Sequence, residues 1–383
     1  MLMRPQLKAL LLGVIFAVFV GELSLRIVSK KLFSTSNFLE EEYHSQNRHT
    51  PHIDHSQLGW AAPRNLRTSV NFLANSSLGT FERKTIMTFD SSGFRKHWAF
   101  RCPEMTLQGS PIVALGDSFT LGSETNDEET WPAHLQALNR REVLNAGFAR
   151  YGLDQMLILL KDLLTRIRPE TVIVSLTLSN ILRVSETKKI SHFYLDQSAR
   201  PYFLMDNSSK TLRLENTPIT RKSTALQLKG IRSVLGHSLL AHYIFRSVSF
   251  NFWYGVPQRN DLYPDGISKS EPTNLALLIL KEIRSLSMKY NFKLLVLIQD
   301  HYQAPFSGAK YNSSPILTSL RDSALGLGIQ VLDLRESLSN LFISDPAVYE
   351  SLFFPFGHMT NQGNLFVAAE LSKIIKSHSK DCL

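Results

Sequence analysis

An α/β protein built around a parallel sheet is what this sequence predicts, and three observations predict it. The run Ile112 to Leu115 is apolar at every position and of strand length, the pattern of a strand buried on both faces. It stops at Gly116-Asp117-Ser118 and gives way to helix-like sequence, which places the serine at the carboxyl end of a strand, where open α/β sheets bind ligands. From there to the C-terminus strand-like and helix-like stretches alternate, implying parallel crossovers with helices on both faces.

Taken in order, the expected strands are Ile112 to Leu115, Glu142 to Leu144, Thr171 to Leu178, Lys293 to Ile298 and Gln330 to Leu334. Helical periodicity is expected at Thr130 to Leu138, Leu153 to Ile167, Asn274 to Tyr290, Ile316 to Leu325 and Asn361 to Ser377. Residues 33–110 are polar and punctuated by Pro, Asn, Ser and His, and read as an irregular extension with a few short strands such as Thr85 to Phe89. Residues 184–273 interrupt the alternation within the 111–383 domain. Their middle, Leu226 to Phe250, is helical in pattern and ends in FNFWYG, so the insertion reads either as a lid or substrate wall or as aromatic packing onto the body.

The N-terminus is basic (MLMRPQLK) and then apolar and uncharged as far as Glu22, about a dozen residues, which is signal-peptide length rather than the twenty of a full span. The helical pattern continues through ELSLRIVSKK, Glu22 and Arg26 stand at i and i+4, and no A-x-A cleavage pattern follows. An uncleaved signal anchor over residues 1–32 is the expectation, with a cleaved signal and a buried amphipathic helix as the alternatives. Basic residues flank both ends, so they do not fix orientation.

Composition narrows the function classes. With 383 residues and 43% hydrophobic content the chain buries a large core. Its net charge of +9 comes from scattered Lys and Arg, without zinc-finger spacing, an RNP-like strand or a basic-aromatic block, so no nucleic-acid partner is expected. Two cysteines, Cys102 and Cys382, are too few for a disulfide framework or a four-ligand zinc site. The loop around Ser118 lacks the Gly-Lys-Ser/Thr of a P-loop. A serine at a strand-to-helix turn suits either a nucleophile with an oxyanion hole or an anion-binding loop, and a nucleophile needs a histidine brought to it by folding.

GDSFTLG, at Gly116 to Gly122, resembles the first block of the SGNH (GDSL) hydrolase superfamily. VLNAGFARYGLDQ resembles the second, with Gly147 at the position whose N–H joins the oxyanion hole. TVIVSLTLSNIL resembles the third, with Asn180 in the asparagine place, although Leu178 and Ile181 stand where Gly and Asp are usual. FFPFGHMTNQGN resembles the last, with His358 as the base. LGWAAPRN, SSGFRK and SVLGHSLLAHYIFR are similar to segments of bacterial membrane-anchored SGNH-like proteins.

The resemblance implies a flavodoxin-like three-layer sandwich, an acyl-ester substrate, no cofactor or metal, and a periplasmic or extracellular domain tethered by the N-terminal helix. Ser118 would attack an acyl carbonyl, His358 would carry the proton, and the Ser118 N–H, Gly147 N–H and Asn180 amide would hold the oxyanion. Asp117 is expected to fix the turn.

Relatives place an aspartate two or three residues before the histidine, but Pro355 and Phe356 stand here. Three readings of the missing acid remain: a backbone carbonyl orients His358, Asp300 supplies the carboxylate from a neighbouring loop, or the site is degraded. His301 is a rival base by the same topology. The first and second imply an ester hydrolase or acyltransferase, acting for instance on O-acyl groups of an envelope polysaccharide. The third implies a non-catalytic glycan-binding or assembly protein.

Overall fold

A computed structural model of the chain describes residues 5–35, 37–38, 51–76, 79–97, 109–187, 199–206, 211–219, 231–248, 253, 271–301, 303, 311, 314–354 and 357–375. The chain divides into two units. One comprises Met1–Arg48, Ile190–Gln197 and Ser223–Leu262; the other comprises His49–Lys189, Ser198–Lys222 and Tyr263–Leu383.

In the larger unit the chain first makes two antiparallel pairs. β1 (Ile53–His55) pairs with β2 (Gly59–Ala61), and β3 (Leu66–Ser76) with β4 (Gly79–Phe89), in a register running from Leu66 opposite Phe89 to Ser76 opposite Gly79. The main sheet follows, from β5 (Ile112–Leu115), β6 (Val143–Asn145) and β7 (Thr171–Leu176). β8 (Tyr202–Met205) and β9 (Leu212–Glu215) form a small antiparallel pair within the insertion. β10 (Lys293–Ile298) and β11 (Gln330–Asp333) complete the main sheet, whose spatial order is β11-β10-β7-β5-β6 with all four pairings parallel. This is the flavodoxin-like order, and its switch point lies at β5, where the chain steps first to one side and then to the other.

Strict alternation along these apolar strands loads both faces. Val113, Leu115, Val172, Val174, Leu294 and Val296 pack on one side with Leu157, Leu160, Ile279 and Leu320 from the helices Leu153–Leu163, Glu271–Tyr290 and Pro315–Gly326. On the other side Ile112, Ala114, Ile173, Leu295 and Leu297 meet Trp131, Leu135, Leu338, Val367 and Leu371 from Trp131–Asn139, Leu334–Ser344 and Asn361–Ile374. The result is three layers. Helix starts are set locally: Thr130, Ser314 and Thr360 each accept a backbone N–H with the side-chain oxygen.

The extension is more regular than its polarity suggests. β3 and β4 are eleven residues each, and their inward residues Val70, Phe72, Met87 and Phe89 form a third apolar cluster with Trp60, Leu121, Phe148 and Tyr151. Arg95, just after this hairpin, is 1% exposed and bonds to the turn after β5. It donates to Leu121 O (2.7 Å), Gly122 O, Thr125 O (2.6 Å), Ile86 O (3.1 Å) and Asp127 Oδ1 (3.1 Å).

In the smaller unit, Pro5–Val28 is one helix, long and apolar enough to cross a membrane. From the insertion this unit takes two helices, Ile231–Leu235 and Leu239–Val248. Of the FNFWYG segment only Trp253 lies among the described residues. It is buried, stacks on Phe245 with centroids 5.2 Å apart, and donates from its indole to His242 Nδ1 at 3.2 Å.

The Arg95 contacts lead to a stability prediction. Arg95→Met removes the positive charge that, among the described residues, pairs with the buried Asp127 carboxylate and strands several carbonyls, so it should cost about 3–5 kcal/mol. Urea unfolding of the two proteins checks this; a midpoint shift worth under about 1 kcal/mol would show that the carbonyls find other donors.

Candidate active site

Ser118 sits where β5 ends and a single helical turn, Ser118–Leu121, begins. Asp117 caps that turn, its Oδ1 accepting from Phe119 N at 3.1 Å. Its Oδ2 accepts from Asn180 Nδ2 (3.0 Å), Thr177 Oγ1 (3.4 Å) and Arg183 Nη1 (3.3 Å). Asp117 therefore ties the serine turn to the chain after β7. The turn ends at Gly122, whose φ of +73° lies in the left-handed region, and a Cβ there would come 2.5 Å from Thr130 Cγ2. Glycine is required, and it sends the chain back toward the serine.

His358 arrives from the other end of the sequence, 240 residues later. Its loop is held by a bridge between Phe353 and Met359 and by Phe354 N donating to His358 O at 2.8 Å. The ring lies against Phe119, with centroids 4.8 Å apart, and Nε2 stands 2.8 Å from Ser118 Oγ. On its far side Nδ1 is 2.9 Å from Glu124 Oε2. Both atoms are buried, and neither makes an aligned hydrogen bond to any described residue, so the contact between them is one of charge and proximity.

Glu124 thus fills the place left empty before the histidine. It comes six residues after Ser118, from the loop turned back by Gly122. Asp300 does not take this place: its Oδ1 accepts from His301 N (2.8 Å) and its Oδ2 from Gln303 Nε2 and Tyr311 Oη (each 3.3 Å). His301 packs edge-on against Phe119, with centroids 4.9 Å apart, on the ring that also touches His358.

Gly147 approaches the serine turn so closely that a Cβ would meet Thr120 Cβ at 2.6 Å and Leu121 N at 2.8 Å. Its N–H donates to Asn145 Oδ1 over 3.2 Å. Asn180 is fully engaged. Nδ2 donates to Asp117 Oδ2 and, at 2.8 Å, to Tyr151 O, while Oδ1 accepts from Thr177 N (2.6 Å) and Thr177 Oγ1 (2.9 Å). An oxyanion contact from Asn180 would have to replace one of its two donated bonds. The Ser118 N–H, by contrast, has no partner among the described residues. No group of three or more His, Cys, Asp or Glu among the described residues is placed to hold a metal ion.

The charges around His358 pull in both directions. Burial lowers its pKa, but the Glu124 carboxylate beside Nδ1, helped by Asp117, outweighs this and raises the pKa above the ordinary histidine value, with Arg183 opposing. His301 goes the other way: burial lowers its pKa, despite Asp117.

No family model matches the chain, and no curated protein matches it. Solved structures do. The chain is similar to G-D-S-L lipolytic proteins. One, from Desulfitobacterium hafniense, is 14% identical, with 70% of this chain and 99% of that one covered and a TM-score of 0.36. Another, from Veillonella parvula, is 10% identical, with 70% and 98% covered and a TM-score of 0.39. An acetyl xylan esterase is 12% identical, with 70% and 100% covered and a TM-score of 0.40.

Sequence reasoning missed Glu124 and Arg183. Glu124 is one of several acids in SETNDEET, and only the Gly122 reversal marks it. Removing its charge by Glu124→Gln should lower the His358 pKa, because the carboxylate is what raises it. The midpoint of the His358 NMR titration should then move to lower pH. The stability contribution of the pair is full below the unfolded histidine pKa and is lost as pH rises through the raised folded value, so the variant's deficit should shrink in alkali. An NMR titration of His358 unchanged by Glu124→Gln would contradict the pairing.

Proposed function

We propose that the chain is a serine ester hydrolase in which Ser118, His358 and Glu124 act as a triad. The observation that carries this reading is the continuous contact from Ser118 Oγ through both ring nitrogens of His358 to a buried carboxylate. Ser118 Oγ attacks an acyl carbonyl as His358 Nε2 takes its proton, and the oxyanion forms beside the free Ser118 N–H. The imidazolium then protonates the alcohol oxygen as the ester C–O bond breaks. Water, deprotonated by the same nitrogen, releases the acid and restores Ser118. Glu124 holds the ring tautomer and offsets the positive charge that forms on it.

The Gly147 N–H is the second donor in this scheme, since its 3.2 Å bond to Asn145 is long enough to yield to a developing oxyanion. Asn180 works through Asp117, keeping the turn in place. The reading as a non-catalytic binding protein rested on the absence of an acid, and Glu124 removes that ground.

The Pro5–Val28 helix is read as an anchor that keeps the domain at a membrane surface on the periplasmic or extracellular side. Acyl esters of an envelope polysaccharide are then the substrate class within its reach.

The test is hydrolysis of p-nitrophenyl acetate by the full chain. Ser118→Ala and His358→Ala should each lower kcat/KM by at least about 10³-fold, and a fluorophosphonate should label the wild type but not Ser118→Ala. Equal turnover by wild type and Ser118→Ala, with no labelling, would sink the proposal.

A further inference from the structure

The uncharged stretch before Glu22 covers roughly 20 Å, against about 30 Å for a bilayer's hydrocarbon core. Beyond it come Glu22 and Arg26, and neither is left bare. Glu22 accepts from Leu239 N (3.0 Å), Leu240 N (2.8 Å) and Ser238 Oγ (2.9 Å), so it caps the Leu239–Val248 helix of the insertion. Arg26 pairs with Glu22 and donates to Ser34 O and His237 O, each at 2.7 Å. Leu240 packs beside Gly21, where a Cβ would lie 3.3 Å from Leu240 Cδ2. The insertion's helix is thereby fixed to the end of the apolar stretch, and the charges there are satisfied internally.

What that helix shows outward is largely apolar, with Ser247 and Arg246 exposed beside the apolar side chains. Leu239 and His242 are buried within the unit, and the opposite face carries Tyr243, Ile244 and Val248, exposed at 46%, 48% and 80%. The neighbouring Ile231–Leu235 helix exposes Ile231 and Val234 at 61% and 70%. A helix facing water carries polar groups on such a face. Between Ile27 and Phe38 and between Ile231 and Val248 every formally charged side chain is basic: Lys30, Lys31, Arg232 and Arg246. An apolar face flanked by lysines and arginines, with the one neighbouring carboxylate, Glu22, engaged in capping, is the composition of a helix lying in the surface of an anionic bilayer.

We infer that the insertion's two helices form a membrane foot, lying in the interface of the bilayer that the N-terminal helix enters, with Ile231, Val234, Tyr243, Ile244 and Val248 among the lipid chains. The lipid is chosen over a protein partner because Glu22 and Arg26 fix this helix to the end of the apolar stretch read as the anchor. The inference rests on the anchor reading given above.

Single-cysteine probes in the full chain, with Cys102→Ser and Cys382→Ser, test it in vesicles of phosphatidylcholine and phosphatidylglycerol. An environment-sensitive fluorophore on Ile244→Cys should shift to the blue, lose most of its emission to a nitroxide on the acyl chains, and be shielded from aqueous iodide. Val14→Cys reads the anchor in parallel. If Ile244→Cys does not fold, Val248→Cys reads the same face. A quenched Val14 probe with an iodide-accessible Ile244 probe overturns the foot and leaves the anchor standing. An Ile244 probe shielded from both quenchers means a protein cover and also overturns it. An unquenched Val14 probe removes the anchor, and the inference with it.

Discussion

A buried guanidinium holds the chain immediately beyond Ser118. Arg95 gathers carbonyls from Leu121, Gly122 and Thr125 and pairs with Asp127, so a segment that would otherwise be free to vary is pinned at both ends and in the middle. Glu124 lies within that span. A carboxylate on an exposed loop would exchange with water and lend a histidine little, whereas one held in a dry, fixed place holds a ring tautomer and raises a pKa. Arg95 comes from the segment after the β3–β4 hairpin, and its own place depends on the apolar cluster of Trp60, Met87 and Phe89. The extension thus belongs to the construction of the site, because without it the acid has no fixed position.

The serine and histidine are brought together by different means. Ser118 is delivered by topology: β5 is the strand at which the sheet order turns, and the loops leaving its carboxyl end and those of β6 and β7 meet there. Gly147 can approach the serine turn only because it has no Cβ, and Asn180 reaches Asp117 from the chain after β7. His358 is delivered by packing. It precedes the Asn361–Ile374 helix, whose Val367 and Leu371 sit in the core opposite Ile112 and Ala114 of β5, and Thr360 fixes where that helix begins.

The parts of this arrangement that were legible in the sequence are those that repeat a local pattern. Ile112 to Leu115 and Lys293 to Ile298 begin and end where their apolar runs do. β7 stops at Leu176 rather than Leu178, because Asn180 accepts from Thr177 and starts a helix there. Leu334 belongs to a helix and not to β11, since Asp333 caps it; that helix was hidden by following its strand without a linker. The hairpin was obscured by polar residues on its outer face. Glu124 could not be read from spacing at all. Its role depends on a left-handed turn at Gly122 and a guanidinium fixed about thirty residues upstream, neither of which leaves a periodic trace.

The charges close around His358 explain why the acid's origin matters less than its position. With the ring neutral, the Glu124 and Asp117 carboxylates act on it together, and Arg183 opposes them. In the proposed reaction the positive charge that forms on the ring as Nε2 takes the Ser118 proton would meet these carboxylates at the moment an oxyanion appears on the substrate. That transfer would be favoured by the same carboxylates that fix the turn and the ring. Moving the acid from the histidine loop to the serine loop preserves this balance, since Nδ1 responds to the carboxylate beside it and not to the segment that carries it. It also makes the serine turn responsible for the positions of both Ser118 and Glu124, so a disturbance at Gly122 or Arg95 displaces the two together.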